Sequence, residues 1–393
     1  MSTLTVPGVR RTGAGQGAVL LAAACMPILG STSIAPLQPA MAAAFPDQPG
    51  AEVLVALILT VPALVIGLTA LFAGRLIDRL GRKRVLVVAL AVYAVFGTAP
   101  LWLPTLQSIL ISRVGVGLAE AAIFAAAMAT ISDLFEGHRR ARYFGLLNLV
   151  TGLAAVVFIA VSGALGNQNW RVPFWLYIIA APLALVALLV LQRDPDRVDR
   201  VALPRVEWRR LLAPILFTLL GGAVFYVPVA MLSFRLAELG VEQTAVIGAI
   251  SAGAALALAL AALSFPALLR RIPRILLAVS FALLGVGLLL IGLSASLPLV
   301  VVGAVVANAG GGILLSTLQT WIVQGLPYEQ RGRASGASTA GLFIGQFIAP
   351  LAVFAIAAGT GLGPAIAIAG VCGLLAAAIG AVVGRIRPEE AAG

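Results

Sequence analysis

Charged positions along this chain are separated by long apolar stretches. Uncharged runs cover residues 12–46, 53–74, 85–112, 143–170, 172–192, 211–234 and 243–269. Roughly 20 residues of apolar helix cross a hydrocarbon core about 30 Å thick, so each run predicts one spanning helix. Residues 275–328 and 334–384 are long enough for two helices apiece. Turn chemistry breaks both near the middle, at Ser294-Ala295-Ser296-Leu297-Pro298 and at Gly359-Thr360-Gly361-Leu362-Gly363-Pro364. A further span over 106–132 holds Arg113 and Glu120 in otherwise apolar sequence, bringing the predicted total to twelve. The pattern predicts an all-α membrane protein with twelve transmembrane helices.

Composition excludes a water-soluble fold: 61% of residues are hydrophobic and 10% charged, against about 25% charged in an ordinary soluble domain. Charge sets the orientation. With the N-terminus inside, 23 of the 26 Lys and Arg residues fall on the cytoplasmic side, and Asp47, Glu52, Glu238 and Glu242 fall outside. Both termini are therefore expected in the cytoplasm. The net charge of +11 reads as a topology signal and not as a nucleic-acid surface. Arg10-Arg11 and the apolar run after them imitate a cleavable signal, but the run exceeds an h-region and the later spans need it to keep their sidedness. Arginine outnumbers lysine 25 to 1, a bias of GC-rich bacterial genomes, which makes a bacterial inner membrane the expected location. Cys25 and Cys372 lie within apolar spans and read as packing residues.

The longest polar stretch, 192–210, divides the spans six and six, so residues 1–191 and 211–393 are expected to form two pseudo-symmetric six-helix bundles joined by a cytoplasmic linker. One offset of 191 residues overlays Arg140, Arg142 and Gly145 on Arg331, Arg333 and Gly336, and Arg79 and Lys83 on Arg270 and Arg274. Parallel repeats of this kind favour a substrate path between the halves near the midplane, opened alternately to each side.

The segment after the second span reads Gly74-Arg75-Leu76-Ile77-Asp78-Arg79-Leu80-Gly81-Arg82-Lys83-Arg84. It resembles the loop signature of the major facilitator superfamily at every constrained position. Arg113-Val114-Gly115-Val116-Gly117, Asp133 with Arg140 and Arg142, Glu329 with Arg331, and Trp170-Arg171 are further features similar to that family. The resemblance implies a secondary transporter and not an enzyme, closest in appearance to twelve-helix drug/proton antiporters. It also implies that Asp78, Arg82, Asp133 and Arg142 form a cytoplasmic network stabilising the outward-facing state, in a conformational gate that includes Gly74, Arg79, Gly81, Glu329 and Arg331. One stretch departs from the antiporter pattern: Phe158 to Gly163 lacks the Gly-Pro pair, and Ser162 replaces one of the following glycines.

Glu120 is the one carboxylate well inside a span, and is the proton-coupling candidate. Arg113, seven residues earlier, shares its helix face, but the rise of about 10 Å is too long for a direct pair. Arg113, Gln38, Asn148, Tyr226, Asn308 and Gln346 are candidates to line a substrate cavity. Two transport readings follow: proton-driven efflux of a small hydrophobic compound, motivated by Glu120, and uptake or facilitated movement of an organic anion, motivated by Arg113. A membrane-embedded enzyme finds little support, with one histidine, no Cys/His metal cluster and no phosphate-binding Gly-x4-Gly-Lys-Ser/Thr. No cofactor or metal is expected beyond a proton gradient. The expected partners are a small-molecule substrate and the lipid bilayer, with no nucleic acid and a monomer as the working unit.

Overall fold

The computed structural model describes residues 14–191, 208–324 and 326–383. Arg10, Arg11, Arg385, Arg387 and linker residues 192–207 lie outside that set. Among the described residues there is no strand, and twelve helices are long and apolar enough to cross a membrane. Their α-helical parts are α1 (Ala14–Thr32), α2 (Ala51–Leu80), α3 (Arg82–Thr98), α4 (Leu106–Leu134), α5 (Gly137–Gly166), α6 (Ala180–Val190), α7 (Trp208–Glu238), α8 (Thr244–Arg271), α9 (Leu276–Leu293), α10 (Leu297–Val323), α11 (Tyr328–Thr360) and α12 (Leu362–Val383), the sixth span reaching full length only with the segment Val172–Ile179 ahead of α6.

Three details differ from the sequence expectation. The signature segment is not a loop: α2 runs on through Gly74 and Asp78 to Leu80, and α3 starts at Arg82. The whole reversal falls on Gly81, at φ +88°, a conformation that a Cβ disfavours. The first span is broken. After Thr32 it continues as a 3-10 turn, Ala35–Leu37, and a short helix, Gln38–Ala43, each with proline in its first turn, where the missing N–H is tolerated. The sixth span opens as a 3-10 helix, Val172–Ile179, before α6 begins. Its threefold repeat eclipses residues three apart, so Phe174 and Tyr177 share one buried face.

Packing repeats between the halves. α1 lies against α4 and α5 as α7 lies against α10 and α11, and α3 and α9 occupy equivalent places beside α4 and α10. Contact between the halves runs along α2 with α11 and α5 with α8. The offset of 191 extends to single hydrogen bonds. Arg140 Nε donates to Phe135 O at 2.8 Å, and Arg331 Nε donates to Leu326 O at 3.0 Å. At the ends of α3 and α9 the same carbonyl pair is bonded by arginines of different origin. Arg171, ahead of α6, donates to Pro100 O and Leu103 O, whereas Arg235, from α7, donates to Ile291 O and Ser294 O. The last carbonyls of a helix have no partner within it, and in each half an arginine supplies the donor.

Candidate coupling and gating site

α4 carries the two charges. Its start is fixed by a capping box, in which Thr105 Oγ1 accepts from Ser108 N at 3.2 Å and the Ser108 hydroxyl accepts from Thr105 N at 3.4 Å. From that start both Arg113 and Glu120 turn inward, 0% and 2% exposed.

Arg113 is held by the chemistry around it. Pro100 lacks the N–H that would bond Phe96 O, so that carbonyl is left open at the end of α3. Arg113 Nη2 donates to Phe96 O at 2.8 Å and to Gly97 O at 3.4 Å, and Nε and Nη2 both reach Ser112 Oγ at 3.3 Å. Nη1 lies 3.5 Å from the Tyr177 hydroxyl. The guanidinium carbon stands 5.7 Å and 5.5 Å from the ring centroids of Phe174 and Tyr177, the two side chains the 3-10 start of the sixth span aligns. Gly97 leaves the space that the Tyr177 ring fills.

Glu120 takes a different partner. Its carboxyl is seated on α1 at Gly30, where a Cβ would fall on Oε1 and lie 3.0 Å from both Glu120 Cδ and the Tyr93 hydroxyl. Oε1 is buried with no hydrogen-bond partner among the described residues. The Tyr93 hydroxyl donates instead to Met26 O at 2.5 Å. Tyr226, on α7 of the other half, is buried and within electrostatic reach of Glu120.

The remaining cavity candidates are dispersed. Asn308 is buried and donates to Ala304 O of its own helix at 2.9 Å, Gln346 is buried on α11, and Asn148 is exposed on α5. Gln38 reaches across the halves. Its Nε2 donates to Ala230 O at 2.9 Å and to Ser233 Oγ at 3.1 Å on α7, and Oε1 has no partner among the described residues. Beside it α5 and α8 meet backbone to backbone at Gly163 and Gly248, and Thr244 Oγ1 donates to Gly163 O at 2.9 Å. These contacts join the halves at the end of the molecule opposite the arginine-rich turns.

At the arginine-rich end Arg82 pairs with Asp133 and donates to Ala129 O at 3.0 Å, tying the start of α3 to the end of α4. Arg79 and Arg142 are exposed, in the last turn of α2 and the first turns of α5. The side chains of Asp78 and Glu329 lie outside the described residues, and Gly74 is placed only as part of α2. Among the described residues no group of three or more His, Cys, Asp or Glu could hold a metal ion.

Sequence reasoning missed Tyr93, Phe174, Tyr177 and Gly30. Two of the five tyrosines are buried hydroxyls within spans other than the seventh, which is a readable signal, since such groups require partners. Gly30 is one of 42 glycines and gives none.

The family model described as Major Facilitator Superfamily matches residues 19–244 and 215–393. Among curated proteins, the quinolone resistance protein NorA of Staphylococcus aureus is 22% identical over 156 residues, 38% of this chain and 40% of NorA. The multidrug transporter protein MdtP of Bacillus subtilis is 27% identical over 166 residues, 42% of this chain and 28% of MdtP. The matched region thus spans less than half of either relative. Three solved structures share the fold. A bacterial homologue of the human lysosomal transporter Spinster has a TM-score of 0.76 at 16% identity, covering 95% of this chain and 97% of its own. The nucleoside transporter NupG has 0.72 at 12%, covering 92% and 98%. The human organic anion transporter MFSD10 has 0.69 at 16%, covering 95% and 100%. Matched by the family model over nearly its whole length, the chain belongs to the Major Facilitator Superfamily and is a transporter of that family.

Proposed function

We propose that this transporter carries out proton-coupled efflux of small hydrophobic compounds across a bacterial inner membrane, with the arginine-rich end cytoplasmic and the opposite end outside. The observation that carries the reading is Glu120: a carboxyl buried in the first half, within electrostatic reach of Tyr226 of the second, with Oε1 unpartnered among the described residues. An ionised carboxylate left so is costly by several kcal/mol, so proton loss and a change of surroundings go together. In antiport, substrate arriving from the cytoplasmic side displaces the proton, and the proton returns from outside. The resistance and multidrug relatives point the same way. The anion reading needs Arg113 free for substrate, and its guanidinium is instead fully buried against carbonyls and rings.

The test is proton release from purified protein in weak buffer on adding tetraphenylphosphonium. Wild type should release protons and Glu120→Gln should not. Equal release from both proteins, or binding of the cation with no release, would remove Glu120 from the coupling.

The outer gate gives a second expectation. Gln38→Ala deletes two hydrogen bonds between the halves, worth together about 1–3 kcal/mol, enough to move a closed population roughly tenfold toward open. Spin labels at Asp47→Cys and Glu242→Cys, both exposed at that end, should then show a second, longer distance in Cys25→Ser, Cys372→Ser protein. An unchanged distance distribution would deny Gln38 any latching role.

A further inference from the structure

Glycine in a helix interior is disfavoured relative to alanine, so one that abuts a functional side chain calls for a reason in packing. Gly30 lies in the last turn of α1 before the helix breaks, and the volume a Cβ would take there is filled by Glu120 Oε1. We propose that Gly30 is the positioning residue of the coupling site: the notch left by its absent side chain seats the Glu120 carboxyl on α1, so that loss of the proton is felt by the helix that leads, through the break after Thr32, into the Gln38 latch. The proposal rests on the reading of Glu120 as the proton carrier.

The link is chemical as well as steric. Two hydroxyls hold this part of α1, Tyr93 on Met26 O at 2.5 Å and Tyr177 on Gly30 O at 3.4 Å. A neutral carboxyl sits in the notch without disturbing either. An ionised one needs a donor, and the hydroxyl that shares the notch, that of Tyr93, is already engaged with Met26 O. The carboxylate must therefore draw that hydroxyl away from α1 or leave the notch. Either movement alters what fixes α1 eight residues before Gln38, where the chain has already broken from α-helix at Thr32. The titratable and charged groups within electrostatic reach of Glu120 are Tyr93 from α3, Arg113 from α4, Tyr177 from the 3-10 start of the sixth span and Tyr226 from α7. None of these comes from α1, so α1 reads the proton through the seat at Gly30 and through the hydroxyls that Tyr93 and Tyr177 place on its carbonyls.

A double-mutant cycle on the pH dependence of tetraphenylphosphonium-driven proton release tests this. Gly30→Ala fills the notch and should move the midpoint by about one pH unit or more, a tenfold change in proton affinity. Glu120→Asp withdraws the carboxyl by one methylene, so adding Gly30→Ala to it should change the midpoint little. Should Gly30→Ala alone fail to fold, recovery of a folded protein in the double variant is the expected result, because the clash is then relieved. A wild-type midpoint in Gly30→Ala, the same displacement with Asp as with Glu at position 120, or misfolding of both Ala variants would overturn the proposal. Failure of the underlying reading shows elsewhere, as undiminished release from Glu120→Gln.

Discussion

Arg113→Ala should lower the thermal midpoint of the detergent-solubilised protein by about 5 °C. The substitution removes the largest fully buried side chain among the described residues and, with it, the donors on Phe96 O and Gly97 O. Two carbonyls left without these donors, one of them in a buried bond, and a cavity of this size together cost about 4 kcal/mol or more. An unfolding entropy of about 2.1 cal/mol/K per residue over 393 residues makes each kcal/mol worth about 1.2 °C, which gives the stated fall. Arg113→Lys keeps the charge but not the fork that reaches two carbonyls and Ser112 at once, so it should recover only part of the stability. A substrate-binding arginine behaves differently: its loss weakens affinity and leaves the midpoint alone. An Arg113→Ala protein melting within 2 °C of wild type would return Arg113 to the substrate.

The spacing of charges made the spans legible because membrane thickness imposes a length on every helix, and the offset of 191 made the repeat legible because the arginines at 140 and 331 do the same work in both halves. The role of Arg113 was half visible. Pro100, four residues after Phe96, announces an open carbonyl, but that Arg113 answers it depends on where α3 and α4 cross. Gln38 looked like a cavity residue because its acceptors, Ala230 and Ser233, come from about 190 residues away. The 3-10 start of the sixth span has no strong local code beyond Pro173, and it is what lines up Phe174 and Tyr177. Continuation of α2 to Leu80 was hidden by charge: arginines near a membrane edge read as loop, although a helix carries them equally well.

The same offset shows what the halves do not share. Arg113 corresponds to Ala304 and Glu120 to Gly311, and beside Gly311 the Phe225 ring takes the space that a longer side chain would need. Glycine at 30 corresponds to Gly221, which faces Leu318 and Leu314 instead of a carboxyl. The carbonyl-binding arginines and the packing are duplicated, whereas among the described residues fully buried charge stands in the first half. A coupling ion read by one half alone needs a mechanical route to the other, and the contacts of Gln38, Gly163 and Gly248 are where the outer parts of the halves touch.

Gly163→Val should therefore abolish transport by holding the outer end apart. A Cβ at position 163 would stand 2.7 Å from Gly248 Cα and 2.7 Å from Thr244 O. Both are backbone atoms, which cannot rotate away as a side chain tip can, and overpacking of this kind costs about 1–3 kcal/mol or more. Separating α5 from α8 also removes the bond from Thr244 Oγ1 to Gly163 O and loosens the seat of Leu37 beside Gly166. The measurement is labelling of Ser33→Cys, buried on the first span just ahead of the latch, by a membrane-impermeant maleimide in Cys25→Ser, Cys372→Ser protein. Labelling should rise at least about tenfold with Gly163→Val, as a shift of 1.4 kcal/mol or more in the gate requires. Gly152→Val on the same helix supplies the contrast, since the nearest atom to its Cβ is Ala259 Cβ at 3.5 Å, an ordinary contact, and both labelling and transport should stay near wild type. Full transport by Gly163→Val would mean that α5 and α8 need not meet there for the outer gate to close.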